Sequence, residues 1–197
     1  MKWVLICACF AVTVWIFGFV TDKLTLRNEL VRLHVVGASN SAEDQSIKVY
    51  LKDQIVESLR DDMSALSDAR AAKLYLQEQL PKIEHLANCF LREIGCDDVA
   101  RVSLTQEAFA TRVYDTFALP SGVYDTLRIT IGEGEGKNWW CVVFPGLCLP
   151  ATAEGFEEAA SCAGFSDSLT GTLEGSYEVR FWLLEVWGRM ENFLYGL

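Results

Sequence analysis

Basic side chains are scarce in this chain: 17 Lys and Arg stand against 27 Asp and Glu, a formal charge of −10 over 197 residues. A surface that holds nucleic acid needs clustered Lys and Arg, and no basic stripe is present, so no nucleic-acid partner is expected. The same acidity disfavours adhesion to an anionic lipid surface outside any inserted segment. From Lys137 to Arg180 basic residues are missing altogether, while Glu154, Glu157, Glu158, Asp167 and Glu174 stand among Gly, Ser, Thr and Ala. That span reads as a loosely packed acidic region with a short helix near Glu157. Histidine is limited to His34 and His85, too few for a metal centre built on several ligands at fixed spacing. No serine stands in a G-x-S-x-G turn. Internal repeats and low-complexity tracts are missing as well. No catalytic constellation, metal or cofactor is expected.

Cysteine is present but loosely scattered. Of seven, Cys7 and Cys9 lie in an apolar N-terminal run, leaving Cys89, Cys96, Cys141, Cys148 and Cys162. An odd number allows at most two bridges and leaves one thiol over. Cys141 and Cys148 alone make a poor zinc site. As a disulfide pair they face a geometric problem. A tight reversal at Pro145-Gly146 would set Cys141 diagonal to Cys148, so a bridge needs a shift of register. Bridged and free thiols both stay open for this pair.

Long hydrophobic runs occur once. Trp3 to Val20 follows Met1-Lys2 and ends at Thr21-Asp22-Lys23, and about 18 apolar residues suffice to span a bilayer. No A-x-A cleavage site follows, and bulky Trp15, Phe17 and Phe19 sit where cleavage wants small residues. An uncleaved anchor is favoured over a cleaved signal peptide. Either way the domain behind it is expected to be exported and to meet the membrane through this segment.

The remainder patterns as an α+β domain. Leu30–Val36 is β-rich and stops at Gly37, which predicts a strand. Ser41 with Asp44 has the spacing of a helix cap, and Ile47, Leu51, Ile55 and Leu59 then recur every four residues. A second helix start at Ser67-Asp68 leads into Leu76, Leu80, Ile83, Ala87, Phe90 and Ile94, closed by Gly95; Pro81 inside it predicts a kink or two short helices. Val99–Val113, Gly122–Ile131 and Trp140–Phe144 alternate or run apolar as strands. Tyr177, Val179 and Phe181 alternate like another strand, and Leu183, Trp187, Met190 and Leu194 continue at helical spacing. The expected architecture is one antiparallel or mixed sheet with two or three helices on one face, preceded by an N-terminal hydrophobic helix. The boundaries are 1–23 for the signal peptide or anchor, 24–149 for the α+β domain, 150–176 for the acidic region and 177–197 for the terminal strand and amphipathic helix.

The stretch Ile131–Cys148, IGEGEGKNWWCVVFPGLC, invites more than one reading. A phosphate loop needs Ser or Thr after the lysine, but Asn138 follows Lys137, and Glu133 and Glu135 would place negative charge against phosphate. A hairpin connection in which glycine supplies positive φ fits better. Trp139 and Trp140 are adjacent on a strand, so they point to opposite faces; one is expected inward and the other toward water or a partner. Lys137 and Asn138 lead into them from the turn. His34, between apolar neighbours on the first strand, reads as a structural or partner-facing histidine. Lys137, Asn138, Trp139, Trp140 and His34 are therefore the candidate recognition residues.

RLHVVGASNSAEDQSIKVYLKD (Arg32–Asp53), LPSGVYDTLRITIGEGEGKNWWCVVFPGLC (Leu119–Cys148) and the leading apolar segment together resemble the stage II sporulation protein R family. The resemblance runs from about Val31 to Cys148, with a weaker echo at Tyr177–Trp187. Gly146 and Ala110 stand where family members usually have proline, and Ser121 where alanine is usual; these departures touch turns. The resemblance implies a signalling protein of endospore-forming bacteria, made in the forespore and exported into the space between the two septal membranes. There such proteins trigger a membrane-embedded aspartic protease of the mother cell, which removes the pro-sequence of sigma E. The competing expectation is an exported enzyme or small-ligand binder with a cleft near His34 and the glycine hairpin, and a third is an inert anchored domain. Convergent polar groups with perturbed pKa values in a pocket would favour the enzyme; an exposed aromatic patch would favour the ligand.

Overall fold

The computed structural model describes residues 28–113, 118–144 and 179–195, with isolated positions between 2 and 14. β1 (Val31–Val36) is buried along its whole length. α1 (Ala42–Ser64) starts at Ser41, whose hydroxyl accepts the Asp44 N–H at 3.0 Å. α2 (Ala69–Glu93) starts at Asp68, whose carboxylate accepts the Ala71 N–H at 2.8 Å. Such caps supply acceptors for N–H groups that have no partner in the first turn. α2 ends at Gly95, where φ is +74° and the Cys96 N–H returns to the Leu91 carbonyl, a left-handed closure that glycine permits.

β2 (Ala100–Phe109), β5 (Gly122–Ile131) and β6 (Asn138–Phe144) join β1 in a four-stranded sheet of order β2-β5-β1-β6. β1 runs parallel to β5 and antiparallel to β6, and β2 is antiparallel to β5, so the sheet is mixed. β3 (Arg112–Val113) and β4 (Ala118–Leu119) form a separate short ladder.

Leu51, Ile55, Leu59 and Met63 of α1 and Ala72, Leu76, Ile83, Ala87 and Leu91 of α2 share one core with Leu33, Val35, Leu127 and Ile129 of the sheet. Each large side chain removed from water there contributes about 1.5–3 kcal/mol. Two side chains of α2 also tie down the edge strand β2. The Asn88 amide exchanges two hydrogen bonds of 2.9 Å with the backbone of Ala100, and Glu84 accepts the Val102 N–H at 2.9 Å.

α3 (Val179–Leu194) lies against β5 and β2. Ser121 Oγ donates to the Glu185 carbonyl at 2.9 Å, and Asn192 Nδ2 donates to the Phe109 carbonyl at 2.7 Å. A Cβ at Gly188 would fall 1.5 Å from the Ser121 carbonyl oxygen, so glycine is what lets the helix approach this turn. Trp182, Val186, Met190 and Phe193 of α3 are exposed.

Three expectations change, and a fourth falls largely outside the described residues. α2 passes through Pro81 as one element and not as two short helices; its apolar face docked on the sheet holds the helix together around the missing N–H. Val179 and Phe181, expected in a strand, lie in a helix, while Tyr177 falls outside the described residues. The loop after β5 is no hairpin, since β1 lies between β5 and β6 and the loop must cross its end. The N-terminal hydrophobic helix falls largely outside the described residues, and among those described no helix is long and apolar enough to cross a membrane.

Candidate functional site

The crossing loop explains its glycines. Gly136 N–H donates to the Gly37 carbonyl at 2.8 Å and Glu135 N–H to the Ala38 carbonyl at 3.2 Å. A Cβ on Gly136 would stand 2.4 Å from the Ser39 oxygen and 2.6 Å from the Gly37 oxygen. Two backbones meet here with no room for a side chain between them. Gly132 and Gly134 take φ of +57° and +70°, the left-handed region that glycine enters without penalty. The loop thus delivers Asn138 and Trp140 beside β1.

Alternation along β1 sends Leu33 and Val35 to the helix side and Arg32 and His34 to the other face. His34 is the register partner of Arg128 on β5 and of Trp140 on β6. Its Nδ1 donates to Oε2 of Glu107 at 2.6 Å, and Nε2 meets Oδ1 of Asn138 at 2.9 Å. Glu107 belongs to β2, one strand further away, and reaches His34 over the small Thr126 of β5. With Oδ1 of Asn138 toward the ring, each ring nitrogen faces an oxygen.

Aromatic rings close over this pair. Trp140 stacks on His34 with centroids 3.8 Å apart, and Phe109 meets Trp140 edge-on at 4.9 Å. Beneath them the wholly buried Arg32 lays its guanidinium 3.9 Å from the Phe109 ring centre. Buried cations are tolerated against such ring faces because the π quadrupole replaces part of the lost hydration. Oε1 of Glu107 accepts from Arg128 Nη1 at 3.1 Å and from Thr105 Oγ1 at 3.3 Å. Burial pushes the Glu107 carboxyl upward, but His34 and Arg128 outweigh it and hold the group below its ordinary value of 4.5. A cavity of about 500 Å³ opens on this face, lined by His34, Glu107, Arg112, Arg128, Asn138 and Trp140 among others. Arg112 stands on its rim, 5.4 Å from the Trp140 ring centre.

The candidate recognition residues therefore divide. His34, Asn138 and Trp140 converge on the sheet face opposite α1 and α2. Trp139 turns to the helix side, where the Lys52 ammonium lies 4.7 Å from its ring centre and the ring remains 38% exposed. Lys137 takes part through its backbone: its carbonyl accepts from Lys48 Nζ at 3.0 Å. Burial, with the neighbouring Lys137 charge, lowers the Lys48 pKa. Trp140 is partly buried against the apolar core while Trp139 stays exposed, so one ring turns inward and the other outward; each also partly covers a different polar group. Cys141 is disulfide-bonded. Cys7, Cys9, Cys89 and Cys96 are free, so its partner lies outside the described residues, as does Cys148.

Arg32, Glu107, Phe109, Arg112 and Arg128 were not singled out from sequence. Arg32 carried a signal, a charge inside an otherwise apolar central strand. Glu107 and Phe109 share a strand face by their spacing of two, but nothing local places them beside His34. A Cys–His neighbourhood exists on α2, where His85 Nε2 lies 3.5 Å from Cys89 Sγ and Arg92 Nη2 lies 3.2 Å from it. Those three follow helical spacing on the outer part of α2, away from the cavity.

Residues 27–154 match the family model described as Stage II sporulation protein R (spore_II_R). The protein named stage II sporulation protein R of Bacillus subtilis (strain 168) is 28% identical over 128 residues, which cover 65% of this chain and 57% of that protein. The matched region thus spans little more than half the length of that relative. No solved structure matches the chain. A family model that covers most of the described domain, including β1, the crossing loop and NWWC, shows that the chain belongs to the stage II sporulation protein R family.

Proposed function

We propose that this protein is a sporulation signal, exported from the forespore, that activates a membrane-embedded aspartic protease of the mother cell and so leads to processing of pro-sigma E. The observation that carries this reading is the family match across residues 27–154. The site supports it through what His34 is doing. Both ring nitrogens are engaged by Glu107 and Asn138, one face of the ring lies against Trp140, and the residue is 4% exposed. A general base or metal ligand needs a nitrogen turned toward its substrate or ion. His34 instead fixes Asn138 and Trp140 in place, which suits a preformed recognition surface.

The cavity itself favours the second reading, a domain that binds a small ligand, because it gathers polar groups around a carboxyl with a perturbed pKa. The same experiment separates the two. The full-length chain is co-expressed with the candidate protease and its pro-sigma substrate in a host lacking all three. Processing that depends on this chain is expected. Processing that is absent, or that proceeds equally without it, overturns the activator reading.

A further inference from the structure

We propose that the cavity on the sheet face opposite α1 and α2, between Arg112, Arg128, Asn138 and Trp140, binds the carboxylate of a single Asp or Glu side chain carried by a partner polypeptide. This deepens the activator reading and rests on it only for the identity of the polypeptide.

The hydrogen-bonding capacity left over in the cavity wall is all of one kind. Both oxygens of Glu107 are occupied, Oε2 by His34 and Oε1 by Arg128 and Thr105. Oδ1 of Asn138 is held by His34, which leaves its amide NH₂ as a donor. Arg128 uses Nη1 on Glu107 and Nε on Thr130, so Nη2 remains. Arg112 is exposed, lies over Trp140, and has no carboxylate partner among the described residues. Donors without acceptors call for a ligand that only accepts, and an ionised carboxylate does so.

Charge points the same way. Arg112 and Arg128 line the cavity beside a single carboxylate, Glu107, in a chain whose formal charge is −10. The cavity is thus a cationic spot on an acidic protein, which steers an acidic segment toward it. A planar carboxylate matches the fork of a guanidinium, and Ala108, Phe109 and Ala110 in the wall offer apolar contact to a methylene stem. A phosphate dianion is the poorer fit, because its second charge would stand beside Glu107.

The test uses the full-length chain, nitrogen-15 labelled, and three capped tripeptides that are identical except for a central Glu, Gln or phosphoserine. The indole N–H of Trp140 and the Nε–H of Arg112 and Arg128 are followed by NMR. Saturable shifts are expected with the Glu peptide, with roughly tenfold weaker binding of the Gln peptide, since a charge-assisted bond is lost. Arg112→Gln should weaken the Glu peptide by a similar factor, roughly tenfold, at unchanged circular dichroism, and Arg112→Lys should recover part of it. Equal responses to Glu and Gln, an undiminished response in Arg112→Gln, or a preference for the phosphoserine peptide would each overturn the proposal.

The co-expression assay is run on Arg112→Gln and Arg128→Gln in parallel. Loss of processing in these folded variants would assign the acidic residue to the protease. Full processing in both would overturn the cavity's role and leave the activator reading standing. Peptide binding as expected, in a wild-type chain that supports no processing, would remove the activator reading and leave the carboxylate site.

Discussion

The ring of Trp140 lies on the imidazole of His34, centroids 3.8 Å apart and planes 24° from parallel, because the two residues are direct register partners on β6 and β1. Trp140→Ala removes that stack and the edge contact with Phe109. The ring is half-buried, so the expected cost is about 2–3 kcal/mol, below the roughly 3–5 kcal/mol of a fully buried ring. Trp140→Phe should recover part of this. Urea unfolding of both variants measures it.

Trp139 is expected to behave differently, since it covers only the Lys52 ammonium on the other side of the sheet. Trp139→Ala should lose about 0.5–1 kcal/mol, the worth of a cation–π contact at an open site. A fold that tolerates Trp139→Ala yet fails in the processing assay would place the partner's contact at the β6 edge on the helix side. A loss of stability like that of Trp140→Ala would contradict the exposure of this ring.

Acid should weaken the fold through Glu107. Its folded pKa lies below 4.5, so the folded protein binds this proton more weakly than the unfolded chain does. The stabilisation from Glu107 is then fully present above 4.5 and is lost as the pH falls through the folded value. Denaturant midpoints measured from about pH 6 to about pH 3 should fall more steeply for the wild type than for Glu107→Gln. Parallel curves would mean that Glu107 has no such linkage.

Three glycine substitutions should separate backbone conformation from packing. Gly95→Ala meets nothing within 4 Å, so only its positive φ opposes it, at about 1–2 kcal/mol. Gly136→Ala has no positive φ but would press a methyl into the carbonyls of Gly37 and Ser39, for about 1–3 kcal/mol or more. Gly134→Ala combines positive φ with Thr130 Cγ2 at 2.6 Å, a side-chain methyl that can rotate aside, and should fall between Gly95→Ala and Gly136→Ala, whose clash is with backbone. Thermal midpoints would order them.

Cys141 is bridged, and Cys148 is the expected partner. Alkylation under non-reducing conditions followed by peptide mapping should return Cys141 and Cys148 as one linked peptide. The short closed loop contributes on the order of 2–3 kcal/mol by the chain-entropy estimate, so Cys141→Ser and Cys148→Ser should lose similar stability. A linked peptide joining Cys141 to Cys162 would replace this pairing.

What the sequence determined by itself about this protein is local. Ser41 and Asp68 start their helices because each bonds a backbone N–H three residues ahead, and Gly95 ends α2 through its own φ. The helix faces at Leu51–Leu59 and Leu76–Ala87 and the strand pattern of β5 were legible because periodicity alone encodes burial, although Ile94, read onto the second face, is exposed and Leu91 takes its place in the core. The opposition of Trp139 and Trp140 followed from the pleat. The order of the strands was not legible, since nothing near Ile131 says that β1 will lie between β5 and β6. Hence the glycine loop read as a hairpin, although its glycines answer to carbonyls 97 and 99 positions earlier in the chain (136 − 39 and 136 − 37). His34 finds Glu107 at a separation of 73 residues and Asn138 at 104. Only parallel pairing of β1 with β5 and antiparallel pairing with β6 bring those three onto one face. A side chain's face is a property of its own strand, but its neighbours on that face are set by register between strands, and register is decided when the sheet closes.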